Sequence, residues 1–130
     1  MPLVRISLRR GKSPAYLATI RDSIYAAMRE AFDVPEEDRF MLVTQHDVEE
    51  FDYSPRYLGI ARSADLVVIQ ITANNTRTVK QKQVLYRRIA ERLADSPGVR
   101  PEDVFISLVG VLPEDWSFGN GRAQYVKPGS

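Results

Sequence analysis

The chain has 130 residues, 44% of them hydrophobic and 27% charged, which suits one folded domain with a real core and argues against disorder. Its formal charge of +1 gives no electrostatic footprint for nucleic acid or an anionic membrane, and the absence of cysteine removes disulfides, thiol nucleophiles and thiolate metal sites. No run reaches the roughly 20 apolar residues of a membrane span, and Met1-Pro2-Leu3-Val4-Arg5 lacks the pattern of a signal peptide, so the expected compartment is the cytoplasm.

In chain order, a strand is expected near 2–8 and a helix near 14–32, with Ser13 as N-cap and Pro14 at the first helical position. Ile20, Ile24 and Met28 fall on one face of that helix. A second strand is expected near 40–46. The stretch 47–63, with Asp52, Pro55 and Gly59, reads as a long connection holding a short helical turn. A third strand near 66–72 leads to a helix near 79–94, where Thr78 and Gln81 have capping-box spacing and Leu85, Ile89 and Leu93 share a face. A fourth strand is expected near 104–110. In the tail from Pro113 to Val126, Gly119-Asn120-Gly121 reads as a hairpin turn between short extended pieces, and 127–130 as a loose end.

These elements repeat at an offset of 65. Val4-Arg5-Ile6 falls on Ile69-Gln70-Ile71, Ser13 on Thr78, the first helical stripe on the second, Asp38 on Asp103 and Phe40 on Phe105. The reading is an α/β (α+β) fold in a single domain spanning 1–130, with repeat units of about 1–63 and 64–130. Two pseudo-symmetric βαβ units form a four-stranded sheet with two helices on one face. Leu66-Val67-Val68-Ile69 and Phe105-Ile106 are apolar at consecutive positions, as in a sheet covered on both faces. Two helices cover only one face, so a homo-oligomer built around the sheets is expected; the alternative is that 47–63 and the tail cover the second face.

Among single residues, Pro2 has the clearest chemical logic. Once Met1 is removed, its nitrogen is a secondary amine, and an α-amine titrates near about 7.7–8.0. It can therefore serve as general base or, kept protonated, as general acid. The alternative is a strand start that needs no N–H donor. Arg77 stands just before the second helix, where a guanidinium beside a helix N-terminus can hold a small anion. Trp116 and Phe118, two apart, point the same way in an extended tail. His46 is the only histidine, and no acidic residues have ligand spacing around it, so no metal and no cofactor are expected. Gly119-Asn120-Gly121 lacks the lysine and following helix of a phosphate loop.

Pro2, the Phe32–Phe40 stretch with its Val-Pro-x-x-Asp-Arg, Gln45-His46, Leu58-Gly59-x-x-Arg62-Ser63, Arg77 with Lys82, and Asp115-Trp116-Ser117-Phe118-Gly119 together resemble the tautomerase superfamily, most closely its malonate semialdehyde decarboxylase group. The resemblance runs over essentially the whole chain. It implies a homotrimer with sheets facing a central barrel, no cofactor, and Pro2 as the catalytic group once Met1 is removed. It further implies that Asp38 lies beside the proline and assists it or a water, and that Arg77 grips a substrate carboxylate. Trp116 and Phe118, with Tyr125 as a further candidate, would form an apolar wall.

The related decarboxylases use two arginines two residues apart, whereas this chain has Asn75 at the first position; Asn75 or Arg62 is the candidate to compensate. The implied partner is a small oxo-acid, with decarboxylation of malonate semialdehyde or keto–enol tautomerisation of a phenylpyruvate-type acid as the chemistry. Hydration or dehalogenation of a 3-haloacrylate-type acid is an alternative, and a non-enzymatic trimeric binding protein is another if Met1 is retained.

Overall fold

A computed structural model describes residues 2–129. The expected elements appear in order: β1 (Pro2–Arg9), α1 (Pro14–Phe32), β2 (Met41–His46), β3 (Val67–Asn74), α2 (Val79–Asp95) and β4 (Val104–Val111). Both helices start as their sequences dictate. The Ser13 hydroxyl accepts from the Tyr16 N–H at 3.1 Å. The Thr78 hydroxyl accepts from the Gln81 N–H at 3.2 Å, while the Thr78 N–H donates to the Gln81 side chain at 2.8 Å. These contacts satisfy backbone donors that the first turn of a helix leaves open.

The four strands lie in the order β2-β1-β3-β4. Within each repeat unit the strands are parallel, β1 with β2 and β3 with β4, and the units join through antiparallel β1 and β3. At this seam Arg5 stands opposite Gln70, with Val4 opposite Ile71 and Ile6 opposite Ile69. Arg5 and Gln70 are also partners in the 65-residue repeat, so a pseudo-two-fold axis passes between them. The repeat in the sequence is thus a rotation in space.

Alternation along the strands puts Val4, Ile6, Leu8, Val67, Ile69 and Ile71 under the helices, all buried. They pack against Ile20, Ile24 and Met28 of α1 and Leu85, Ile89 and Leu93 of α2. The opposite face carries Leu3, Arg5, Ser7 and Arg9 from β1 and, in register beside them, Thr72, Gln70 and Val68 from β3. It is covered only in part. Tyr53 and Tyr57 of the 47–63 connection share a depression with Val68 and Phe105, and Trp116 of the tail reaches the other end. Leu42, Phe105 and Val109 stay 52%, 45% and 44% exposed.

The connection 47–63 holds two single 3₁₀ turns, Val48–Glu50 and Tyr57–Gly59. The tail departs from expectation. Gly119, Asn120 and Gly121 all take positive φ, of 147°, 60° and 65°, which explains the two glycines. The flanking pieces form no strands, however. Side chains take the place of a ladder: the Phe118 N–H donates to Gln124 Oε1 at 2.9 Å, and Gln124 Nε2 donates to the Gly119 carbonyl at 2.8 Å. Among the described residues, no helix is long and apolar enough to cross a membrane.

Candidate active site

Pro2 is buried at the first position of β1, a place in a sheet where a residue without an N–H is tolerated. It stands opposite Ala73, near the end of β3, so the start of β1, the end of β3 and the end of β4 share one edge of the molecule. The chain entering β2 joins them there, because the Val4 N–H donates to the Phe40 carbonyl at 3.0 Å. A cavity of about 220 Å³ opens at this edge, lined by Pro2, Leu3, Phe40, Trp116, Ser117 and Phe118. Its size suits a small molecule rather than a large ligand.

The tail builds the aromatic wall. Beyond β4 the 3₁₀ turn Pro113–Asp115 is closed by Asp115, whose carboxylate accepts from the Leu112 N–H at 2.8 Å. Trp116 and Phe118 then stack with ring centroids 5.4 Å apart and planes 18° from parallel. Tyr125 meets Phe118 edge-on at 4.7 Å. The Tyr125 phenol is pushed above its usual range, first by burial and then by the negative charge of Asp38. Asp38, two residues before the cavity residue Phe40, lies at the same edge as the aromatic wall. Asp38 itself ends a tight turn in which its N–H donates to the Pro35 carbonyl at 3.1 Å.

The two residues compared with the paired arginines diverge. Arg77 is held at the end of α1, donating to the Phe32 carbonyl at 2.6 Å with its guanidinium 4.7 Å from the centroid of the Phe32 ring. It also donates to the Thr76 hydroxyl at 3.2 Å. Asn75 instead turns towards β4: a Cβ on Gly110 would lie only 3.0 Å from the Asn75 Cβ and Cγ. The Asn75 side-chain carbonyl accepts from Lys82 Nζ at 3.3 Å. Neither residue lines the cavity.

Arg62 is parted from the others. It precedes β3, and β3 runs antiparallel to β1, so within the protomer Arg62 lies at the edge where β1 ends. There it donates to the Tyr57 carbonyl at 3.0 Å and lines a wider depression of about 520 Å³ with Arg9, Phe51 and Tyr53. His46 is at that edge too, stacked on Phe51 at 5.5 Å. The wider depression is the larger of the two, but Pro2 lies in the smaller one, whose lining does not include Asp38. The smaller cavity is therefore the candidate site.

Leu3, Phe40 and Ser117 line the cavity but are not singled out as site residues by the sequence. Leu3 and Phe40 were legible in principle, as the strand neighbour of Pro2 and the aromatic residue leading into β2.

A buried proline opening a strand and an aromatic cavity beside it, on a duplicated βαβ sheet, define a small α/β protein with its candidate site at the start of β1. A family model described as tautomerase enzyme matches residues 38–119. The chain belongs to the tautomerase superfamily of enzymes. It is 46% identical over 127 residues to the probable tautomerase YusQ of Bacillus subtilis (strain 168), covering 98% of this chain and 100% of that protein.

A crystal structure of malonate semialdehyde decarboxylase, described as a structural basis for its decarboxylase and hydratase activities, is 33% identical with a TM-score of 0.89, covering 95% of each chain. FG41 malonate semialdehyde decarboxylase inhibited by 3-bromopropiolate is 37% identical with a TM-score of 0.88, covering 95% of this chain and 93% of that one. The fold alone is shared with a fused 4-OT described as a symmetric trimer, at 17% identity and a TM-score of 0.77, covering 92% and 94%.

Proposed function

We propose that the chain is a cofactor-independent enzyme in which the amine of Pro2, freed by removal of Met1, moves a proton on a small oxo-acid. Met1 lies outside the described residues. The observation that carries this reading is Pro2 itself, buried at the start of β1 and lining a cavity walled by Phe40, Trp116 and Phe118. A freed α-amine has a proton affinity that lets it exchange protons near neutral pH. Asp38 biases that affinity upward or orients a water, while Trp116, Phe118 and Tyr125 keep the cavity dry.

Arg77 is the carboxylate anchor in this reading, and binding of an acid releases it from the Phe32 carbonyl. Asn75, held by Lys82 on the β4 side, adds an amide donor from further off. Arg62 has no part within the protomer. For malonate semialdehyde, cationic Pro2 polarises the aldehyde oxygen and the bond from the carboxylate carbon breaks. Its electron pair passes into an enol, carbon dioxide leaves, and protonation at carbon gives acetaldehyde. For a phenylpyruvate-type acid, Pro2 takes the proton beside the carbonyl and returns it to the other end of the enol. The likeness to two malonate semialdehyde decarboxylases supports the first chemistry, and the likeness to a probable tautomerase supports the second.

The working form in this proposal is a homotrimer. The half-open face with Leu42, Phe105 and Val109 supports it, as does the family resemblance. The test joins an intact-mass measurement, to establish that Met1 is gone, with proton NMR of malonate semialdehyde and phenylenolpyruvate side by side. Turnover of either is expected, with a loss of roughly 100-fold or more in Pro2→Ala. No turnover of either by Met1-free protein overturns the enzyme reading, and full activity in Pro2→Ala overturns the mechanism.

A further inference from the structure

We infer that Asn74 is a positioning residue for the Pro2 cavity: its side-chain carbonyl fixes the indole of Trp116 as the cavity wall. The inference rests on the reading of Pro2 as the reactive group, and Asn74 acts through Trp116, not on the substrate.

Asn74 is the last residue of β3, one step beyond the Ala73 that stands opposite Pro2. By strand alternation it shares the open face with Thr72, the cross-strand partner of the cavity residue Leu3. Its backbone is held in register with Val111, and the following Asn75 N–H donates to the Val111 carbonyl at 2.8 Å. Asn74 is therefore mounted on the sheet. Trp116 is not, since it belongs to the tail beyond β4.

The contact between them is a part-buried hydrogen bond from Trp116 Nε1 to Asn74 Oδ1, 2.8 Å long. An indole has one N–H and no acceptor, so this single bond is all the polar anchoring the ring can have. Stacking on Phe118 sets the plane of the ring but leaves rotation within that plane unrestrained, and Phe118 sits on the same tail. The bond to Asn74 ties the wall to the strand beside Pro2. Without an acceptor at position 74 the N–H loses its partner, and the indole is free to turn away from the cavity.

Trp116 is the only tryptophan, so intrinsic fluorescence reads this one side chain whether or not turnover occurs. Asn74→Leu is expected to shift its emission to the red and increase quenching by acrylamide. KM should rise about tenfold with a smaller change in kcat, as for one lost hydrogen bond. Asn74→Asp keeps an acceptor oxygen and should restore the emission; its added charge makes emission, not KM, the readout for that variant. In a Trp116→Phe background, Asn74→Leu should add no further rise in KM.

Far-UV circular dichroism checks that each variant is folded, and Asn74→Ala carries the same test if the leucine is not accommodated. Unchanged emission and quenching in the folded leucine or alanine variant overturn the inference. So does an aspartate variant as red-shifted as the leucine one, or an additive effect on KM without the indole. A wild type that turns over nothing defeats the reading of Pro2, while the fluorescence still decides the anchoring.

Discussion

Asp103→Ala is expected to destabilise the fold by about 3–5 kcal/mol while leaving the Pro2 edge intact. Asp103 is the repeat partner of Asp38, yet it is only 1% exposed and its contacts are structural. One carboxylate oxygen accepts from the Ser63 N–H at 2.7 Å and the other from the Ser63 hydroxyl at 2.6 Å. Hydrogen bonds to a charged group are worth about 1.5–3 kcal/mol each, and the lower part of the summed range applies because the Ser63 hydroxyl can turn to water. Arg100, 3.6 Å away and half exposed, adds little. Against a typical total of about 5–15 kcal/mol this is a large loss. Asp103→Asn, which keeps one acceptor, should cost about half as much.

The assay is urea unfolding followed by Trp116 emission at one fixed protein concentration, since an oligomer's stability depends on concentration. Asp38→Ala is the companion variant: turnover should fall, with the smaller loss of stability. A loss below about 1 kcal/mol in Asp103→Ala, or a greater loss in Asp38→Ala than in Asp103→Ala, would refute the division of roles between the two aspartates.

Ile89→Ala, in the fully buried stripe of α2, should cost about 2–5 kcal/mol by the same unfolding assay. Phe105→Asp places a charge on the half-open face and should shift light scattering of the proposed trimer towards monomer. Arg77→Ala should raise KM for carboxylate substrates about tenfold or more, as read from initial rates. Tyr125 has a folded-state pKa above its ordinary value of 10.0, chiefly through burial and secondly through Asp38. The folded state therefore holds that proton more tightly than the unfolded chain, and stability falls as pH rises from about 10 through the raised value. Tyr125→Phe should lose less stability over that range in alkaline unfolding curves.

Much of the fold was legible because local chemistry and packing agree. Ser13 and Thr78 cap the helices their sequences announce, and the Ile20 and Leu85 stripes face one sheet. The 65-residue repeat was a partial guide. It implied equivalent strands but not their relative direction, and that direction places Arg62 at the far edge. In the tail, the glycine-rich turn suggests the centre of a ladder, but no ladder forms. Its backbone groups are met by the side chain of Gln124, and its aromatic rings by one another. Asn75 and Arg77 sit close in sequence, but one follows the space above Gly110 and the other the carbonyl of Phe32. Such contacts belong to the assembled core, beyond the reach of spacing alone.

The two-fold relation between Arg5 and Gln70 has a stoichiometric consequence. Rotation about that axis carries the start of β1 onto the start of β3, where Val67 occupies the place of Pro2. Val67 lies in mid-chain, and its nitrogen is committed to a peptide bond. In the proposed form lacking Met1, an inactivator that reacts within the Pro2 cavity should therefore saturate at one equivalent per chain, despite two matching positions in the fold. A folded unit can be doubled; a chain end cannot.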